Sequence, residues 1–420
     1  MKKTAALITA LTLILCGCSE RKSQVNYPDS DAAWNELNIM ETENGYYIGD
    51  TSSLFLQYHD KNTGNEIMLC DKPECPHDGR ETCTATYKNL NCSNVVLYDN
   101  ELYFAAIDSN GETLTVSLYK AACDGSSLDK VSVLYSVKNS IDKYMAGFHI
   151  AQLTVHRGYA FINADIYNIE NLGLYSGFIG GGLYMTDLRN GESKALVSYN
   201  NFWNDKKANG AIYACGDYIF YTNFSSNTQK TYRVKINADS PEQIHLENED
   251  RISVVSADSS KIYVLEFPEG EYNRVLDGYN MVEYDADTLK KIRDYKICGY
   301  DVTVHDNRLY VSKCLEQSDK TENFIAVYED GKEKFRTDKL PGDSKVYNSI
   351  SFSSGKIYIG KRVNSGFGTH IYYSCDIEDF LTENINWKNE YSTENAEEKW
   401  YEYCSKRVSN GEISNSYSNF

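Results

Sequence analysis

Three cysteines and a histidine share one stretch of fourteen residues, and their chemistry suits a metal: Cys70, Cys75, His77 and Cys83. Three thiolates and one imidazole form a normal tetrahedral shell for structural zinc, although the spacing Cys-x4-Cys-x-His-x5-Cys is not a common zinc-finger spacing. A disulfide is the second interpretation, with Cys92 as the nearest spare partner. Free thiols are the third. The residues therefore predict a structural metal site or a disulfide here, and leave the choice open.

Whether cysteines can form a disulfide depends on the cellular compartment, and the first residues of the chain indicate that compartment. Lys2 and Lys3 precede an apolar segment, residues 5–15, that is too short to be a stable bilayer span. The following Leu-Cys-Gly-Cys, ending at Cys18, resembles the lipobox of bacterial lipoproteins. That resemblance implies a signal peptide at 1–17, lipidation of Cys18 and a lipidated tether at 18–34. An ordinary secretory signal with a chance cysteine is the alternative.

Charge and composition narrow the classes of partner. The net charge of −18 argues against nucleic acid and against an anionic membrane surface. Tyrosine occurs 35 times and proline only 6 times, and half-buried β surfaces favour tyrosine. We expect an extracytoplasmic protein that contacts the membrane only through its lipid anchor.

An internal repeat provides the elements that must position the cysteines. Each copy has a run of alternating apolar residues, a tight polar turn rich in Asn, Asp and Gly, and then an aliphatic–aromatic pair. The copies start 41 to 59 residues apart: 35–50, 94–106, 152–163, 211–223, 252–266, 301–313 and 347–361. A second hairpin follows each copy and shares an Asp before its turn: 54–70, 116–134, 182–199, 231–246, 281–297, 324–340 and 371–389.

Seven pairs of hairpins predict an all-β fold, a β-propeller of seven four-stranded blades over residues 35–408, followed by a polar tail at 409–420. Six or eight blades are alternatives, and two stacked sandwich domains are the rival fold. Residues 400–408 alternate and could form the strand that closes the ring.

One blade carries a resemblance to a known group. Residues 101–134, with Leu-Tyr-Phe followed by Leu-Tyr-Lys-Ala-Ala-Cys-Asp-Gly-Ser, resemble the blade of low-density-lipoprotein-receptor-type (YWTD-like) propellers. Bacterial surface lipoproteins carry similar blades behind a lipobox, often with the same cysteine–histidine spacing. The aromatic-Trp-Thr-Asp tetrapeptide of the receptors is replaced here by Tyr103, Phe104, Ala105 and Ala106.

Propeller topology divides the turns between two faces. The first and third turns of every blade share one face, and the second turns and the blade-to-blade links share the other. The irregular segments all belong to the second class, and we expect the cysteine segment 70–83 there too: 71–93, 138–151, 164–181, 200–210, 267–279, 314–323 and 363–368. We interpret glycine-rich 177–182 as a flexible loop.

Aromatic residues in these segments are candidates for binding a ligand: Tyr144, Tyr167, Tyr175, Phe178, Trp203 and Tyr272. Loops on a rigid scaffold commonly carry function, and aromatic faces stack on sugars or grip partners. The alternative is that they pack as small cores of their own loops.

No catalytic residues are predicted. The chain lacks a Gly-x-Ser-x-Gly elbow, and His156 and His305 occupy equivalent repeat positions, which favours a scaffolding role. We predict a lipid-anchored, non-enzymatic binding module that uses its long-loop face for a protein or glycan ligand. A cell-envelope assembly scaffold and a glycan-active propeller enzyme are the alternatives.

Overall fold

The chain folds into seven four-stranded antiparallel sheets arranged as a β-propeller, as predicted. The structure is a computed structural model. It describes residues 39–392 except 49–55, 73, 76–82, 86–92, 110–112, 139–144, 170–174, 200–211, 225–228, 237, 239, 241, 247–251, 259, 267–278, 298–300, 318–319, 342–346 and 363–369.

Every blade is built from four consecutive strands in chain order. Blades 1 to 3 contain β1 (Ile39–Glu41), β2 (Gly45–Ile48), β3 (Gln57–Asp60), β4 (Glu66–Met68); β5 (Val96–Tyr98), β6 (Glu101–Ser109), β7 (Thr113–Ala122), β8 (Leu128–Lys138); β9 (Met145–His156), β10 (Tyr159–Ile169), β11 (Tyr175–Asp187), β12 (Ser193–Tyr199). Blades 4 and 5 contain β13 (Ile212–Cys215), β14 (Tyr218–Phe224), β15 (Gln229–Lys235), β16 (Glu242–Gln243); β17 (Ile252–Asp258), β18 (Lys261–Glu266), β19 (Tyr279–Asp285), β20 (Lys291–Ile297). Blades 6 and 7 contain β21 (Asp301–His305), β22 (Arg308–Gln317), β23 (Lys320–Glu329), β24 (Lys332–Thr337); β25 (Tyr347–Ser353), β26 (Lys356–Arg362), β27 (His370–Asp376), β28 (Lys388–Ser392), with helix α1 (Ile377–Leu381) before β28.

The aliphatic–aromatic pair of each repeat explains why the blades stack. Adjacent residues of a strand point to opposite sides of the sheet. Leu102 therefore packs against blade 1, beside Tyr47, while Tyr103 packs against blade 3, beside Leu153. Each fully buried side chain of this size contributes roughly 1.5–3 kcal/mol. Six such apolar clusters join blades 1 to 7 in sequence.

The turns follow the predicted hairpin chemistry. In the first turn of blade 2, Asp99 and Asn100 both have positive φ, at 51° and 60°; two-residue hairpins need this conformation. The Asp shared by the third turns also has a physical role, because its side chain caps the turn that follows the third strand. Asp60 Oδ1 accepts hydrogen bonds from the backbone amides of Asn62 (2.9 Å) and Thr63 (2.8 Å).

Neighbouring blades are also joined by side-chain amides that lie in or just before their first strands. Asn94 Nδ2 donates to the Leu153 carbonyl (2.9 Å), and Asn94 Oδ1 accepts from the Leu153 amide (2.8 Å). One blade further on, Gln152 makes the same pair of bonds to Ile212, at 3.0 and 2.6 Å. These amide pairs satisfy buried backbone groups that the sheets leave open.

Several segments that we expected to be irregular loops are strands instead. β9 runs through half of 138–151, β10 and β11 through most of 164–181, and β22 and β23 cover nearly all of 314–323. The glycine-rich segment 177–182 is also strand and not a flexible loop. Gly182 is required there because a Cβ would lie 2.0 Å from the Val197 carbonyl oxygen of the paired strand.

Blade 7 departs from the predicted tight third turn, because α1 replaces it. Phe380 of this short helix is fully buried between blades 6 and 7, beside Trp387 and Phe335. No helix of the described chain is both long enough and apolar enough to cross a membrane.

Candidate metal centre

The three cysteines of the 70–83 segment come together in space. Cys70 lies two residues after β4, Cys75 follows a short turn, and Cys83 is buried. Their sulfur atoms all lie within 4.8 Å of one another. The structure thus assembles three of the four predicted metal ligands; the fourth, His77, lies outside the described residues.

Backbone hydrogen bonds hold the two ends of the segment near the cluster. The Cys75 amide donates to the Lys72 carbonyl (3.0 Å), which closes the turn that brings Cys75 towards Cys70. At the other end, the Leu56 amide donates to the Ala85 carbonyl (2.8 Å), which attaches the residues after Cys83 to blade 1.

The cluster lies against the third turn of blade 2. Thr84 Oγ1 donates to the Gly125 carbonyl at 2.8 Å and lies 3.4 Å from the Leu69 carbonyl. Gly125 has φ +77°, and a Cβ on it would lie 2.5 Å from the Leu69 carbonyl carbon and 2.7 Å from the Cys70 nitrogen. The described ends of this segment therefore dock beside a short third turn, and its expected place on the long-loop face stays a prediction.

Electrostatics favour a thiolate at one position of the cluster. Burial by itself raises the pKa of the Cys70 thiol, but hydrogen bonds from the Thr84 hydroxyl, the backbone amides of Lys72 and Thr84, and the Cys75 thiol outweigh it. The pKa of Cys70 is lowered to about 6. A thiolate is the form that binds metals.

The donor set fits a soft or borderline metal ion. Zn–S bonds of about 2.3 Å place the sulfurs of a tetrahedral site roughly 3.8 Å apart, and the observed limit of 4.8 Å is compatible with that spacing. Sulfur-only donors do not suit Mg²⁺ or Ca²⁺, which prefer oxygen. The same proximity would also permit a disulfide after small movements. No disulfide joins the three cysteines in this structure.

Three of the six predicted ligand-binding aromatic residues lie in the described part of the chain. Tyr167 and Phe178 are directly opposite each other in the β10–β11 pairing, and Tyr175 is opposite Ile169 near the tip of the same hairpin. Three further candidates and the lipidation site lie outside the described residues: Tyr144, Trp203, Tyr272 and Cys18.

In three blades, the last residue of the first strand makes a hydrogen bond to the next blade, and the sequence predicted only one of these residues. His156, at the end of β9, places Nε2 2.8 Å from the Gly216 carbonyl oxygen of the next blade. Tyr98 accepts from the Gly158 amide (2.9 Å), and the Cys215 thiol donates to the Asp258 carbonyl (3.2 Å). This contact joins blades 3 and 4, and the scaffolding role of His156 stays a prediction. The repeat alignment was the signal that could have added Tyr98 and Cys215.

Sequence reasoning missed a buried carboxylate in blade 5. Glu283 is 1% exposed and pairs with Lys261 (2.9 Å) and Arg293 (3.3 Å), and it accepts from the Tyr295 hydroxyl (2.6 Å). Burial, followed by this hydrogen bond, raises the pKa of Tyr295. Arg293 also pairs with Asp330 of blade 6 (3.1 Å), so the group links two blades.

Fold and site together define a seven-bladed β-propeller with a three-thiol cluster at the boundary of its first two blades. No family model matches the chain, and no curated protein matches it in sequence. Solved propeller structures resemble it with low TM-scores. TolB from Acinetobacter baumannii is 12% identical, over 80% of this chain and 75% of that chain, with a TM-score of 0.36.

Two further structures show how varied these similar proteins are. An oligogalacturonate lyase in complex with manganese is 11% identical, over 73% of this chain and 79% of its own, with a TM-score of 0.42. The β-propeller domain of the Trilobed protease from Pyrococcus furiosus is 12% identical, over 81% and 88%, with a TM-score of 0.43. At these values the likeness bears on neither ligand nor activity.

Proposed function

We propose that this chain is a lipid-anchored, extracytoplasmic binding protein that holds a protein or glycan ligand on the face formed by its second turns. The observation that carries the proposal is the unequal construction of the two faces. First turns such as Asp99–Asn100 and Asp306–Asn307 are two residues long. On the opposite face, the hairpins of blades 2, 3 and 6 are built from strands of 9 to 13 residues.

Extended segments on a rigid scaffold are where binding residues commonly concentrate. The opposition of Tyr167 and Phe178 in one such hairpin supports this assignment. A non-enzymatic role is supported by the structural partners of an acidic pair: Asp285 Oδ1 caps its own turn through Thr288 (2.7 Å), and Asp287 accepts from the Tyr218 hydroxyl (2.8 Å).

Ligand binding is tested with mature protein on a glycan array and against extracts of envelope proteins. Trp203→Ala combined with Tyr272→Ala is expected to weaken binding at least about tenfold, the loss typical of a central aromatic anchor. The control is Asn62→Ala, at an exposed tip of the third-turn face. Loss of binding only in the control, or turnover of a polysaccharide, would contradict the proposal.

The lipid anchor is tested separately. In the native host, Cys18→Ser is expected to abolish incorporation of a labelled fatty acid and to release the protein from the membrane fraction, because the lipid is attached to that sulfur. Cys16→Ser is the matched control and should retain both. The likeness to low-density-lipoprotein-receptor-type blades stays a prediction.

We also propose that Cys70, Cys75 and Cys83 hold one structural zinc ion, with His77 as the candidate fourth ligand. The converging sulfurs and the apolar cluster next to them support a closed site and not a catalytic one. Cadmium titration would show thiolate-to-metal absorbance that saturates at one ion per chain. Cys75→Ser should lose this absorbance, and Cys215→Ala should keep it.

A further inference from the structure

Within the described part of the chain, blade 1 is the smallest blade of the ring. Its strands are three or four residues long, whereas those of blade 3 are 7 to 13. Few backbone pairs hold such a sheet together, so it depends on its neighbours for stability. What fixes blade 1 on each side therefore decides whether the ring is closed.

On the side of blade 2, the thiol cluster occupies the junction. Cys70 continues from the last strand of blade 1, and Cys83 adjoins Thr84, whose hydroxyl donates to the Gly125 carbonyl of blade 2. The Ala85 carbonyl accepts from Leu56 of blade 1. A metal bound by Cys70 and Cys83 would therefore join the end of blade 1 to a segment that contacts both blades.

On the side of blade 7, the described hydrogen bonds centre on one carboxylate, which contacts the buried Tyr46 of blade 1. Glu390 of β28 accepts from the Tyr46 hydroxyl of blade 1 at 3.0 Å, and its other oxygen binds Lys356 (3.2 Å) and Ser374 (2.5 Å). None of the six apolar clusters formed by the described residues contains members of both blade 7 and blade 1. Boundaries with few buried apolar contacts open at lower cost.

We infer that metal binding by Cys70, Cys75 and Cys83 holds blade 1 in the ring, and that loss of the metal frees blade 1 and opens the ring between blades 7 and 1. This inference rests on the proposed zinc site and adds a regulatory consequence to it. The second-turn face needs all seven blades in place, so ligand binding becomes dependent on the metal.

Hydrogen–deuterium exchange on the full mature chain tests the inference, with zinc-loaded protein compared with protein treated with EDTA. We expect amides in 39–48, 56–72 and 388–392 to exchange about tenfold faster, or more, after zinc removal. Amides in 279–297 of blade 5 should not change. Acceleration confined to 69–85, or spread evenly over all blades, would overturn the inference while leaving the zinc site intact.

Zinc content is measured on the same samples, so that the two proposals fail separately. A chain that takes up no zinc overturns both. Thr84→Val keeps all three thiols but removes the hydroxyl bridge to Gly125 together with the hydrogen bond to Cys70, so it is compared with wild type at saturating zinc. Thr288→Val, in an exposed turn of blade 5, is its matched control. We expect Thr84→Val to bind zinc and to exchange faster than wild type in 39–48. We expect Thr288→Val to match wild type in both zinc content and exchange rate. Equal exchange in the two variants would contradict the bridge.

Discussion

Replacing Gln152 with leucine should destabilise the propeller, because it removes the two hydrogen bonds that join the first strands of blades 3 and 4. Gln152 is 1% exposed, and its amide group satisfies both backbone groups of Ile212, which is also 1% exposed. Leucine has a similar volume but neither donates nor accepts. The substitution leaves the amide and the carbonyl of Ile212 buried without these partners.

The size of the effect follows from those two groups. A buried donor or acceptor left unsatisfied costs about 1–3 kcal/mol, so the pair costs about 2–6 kcal/mol. The extra apolar surface of leucine offsets part of this, and we expect a loss of about 3 kcal/mol in the free energy of unfolding. Urea denaturation of the chain expressed from residue 19 onward, followed by tryptophan fluorescence, measures it.

Gln57→Leu is the matched control. Gln57 is also buried, at 6% exposure, but its side-chain amide contacts only the Met68 sulfur at 3.8 Å among the bonds seen in the described chain. We expect this control to lose less than about 1 kcal/mol. If Gln152→Leu and Gln57→Leu had equal effects, the amide pairs would not be what ties the first strands together.

The remaining predictions concern the site and the ring boundary. Gly125→Ala should cost about 2 kcal/mol more than Gly64→Ala in the same urea assay, because both glycines have positive φ but only Gly125 faces backbone atoms within 2.7 Å; equal costs would contradict the docking of the cysteine segment. Burial raises the pKa of Glu390, but hydrogen bonds from neighbouring hydroxyls and a lysine outweigh it and hold that pKa below its usual range. Its stabilising contribution is therefore present above the unfolded pKa of about 4.3 and is lost as pH falls through the folded value, so Glu390→Gln should lower the melting temperature at pH 7 and make little difference near pH 3. In metal-free protein at pH 7, iodoacetamide should label Cys70 at least about 100-fold faster than Cys215, whose pKa is raised to about 12 by burial and nearby carboxylates; similar rates would refute the thiolate assignment.

Much of the fold could be predicted because its determinants are local. Period-2 alternation and turns such as Asp99–Asn100 specify each hairpin within a few residues, and repetition then specifies the ring. The pair Leu102–Tyr103 was visible as a repeated feature, although its role in packing against both neighbours needs the structure.

The errors arise where long-range contacts override local composition. Gly182 suggested flexibility in the sequence, but in the structure it allows β11 to approach Val197. The helix α1 was missed because its five residues are fixed mainly by burial of Phe380; Asp376 at its start and the acidic residues Glu378 and Asp379 of its first turn were an available signal. The site was half predictable: spacing grouped Cys70 with Cys83, but the contact with Gly125 spans two blades.

Cys70, Cys75 and Cys83 are proposed to form a metal centre at the boundary of blades 1 and 2. Elemental mass spectrometry on the protein, purified without added metal or oxidant and paired with a count of free thiols, measures its metal content. We expect one zinc per chain, lost in Cys75→Ser and retained in Cys215→Ala. A metal-free chain with two thiols fewer than its ten cysteines beyond Cys16 and Cys18 would contradict it, and would make the cluster a disulfide site.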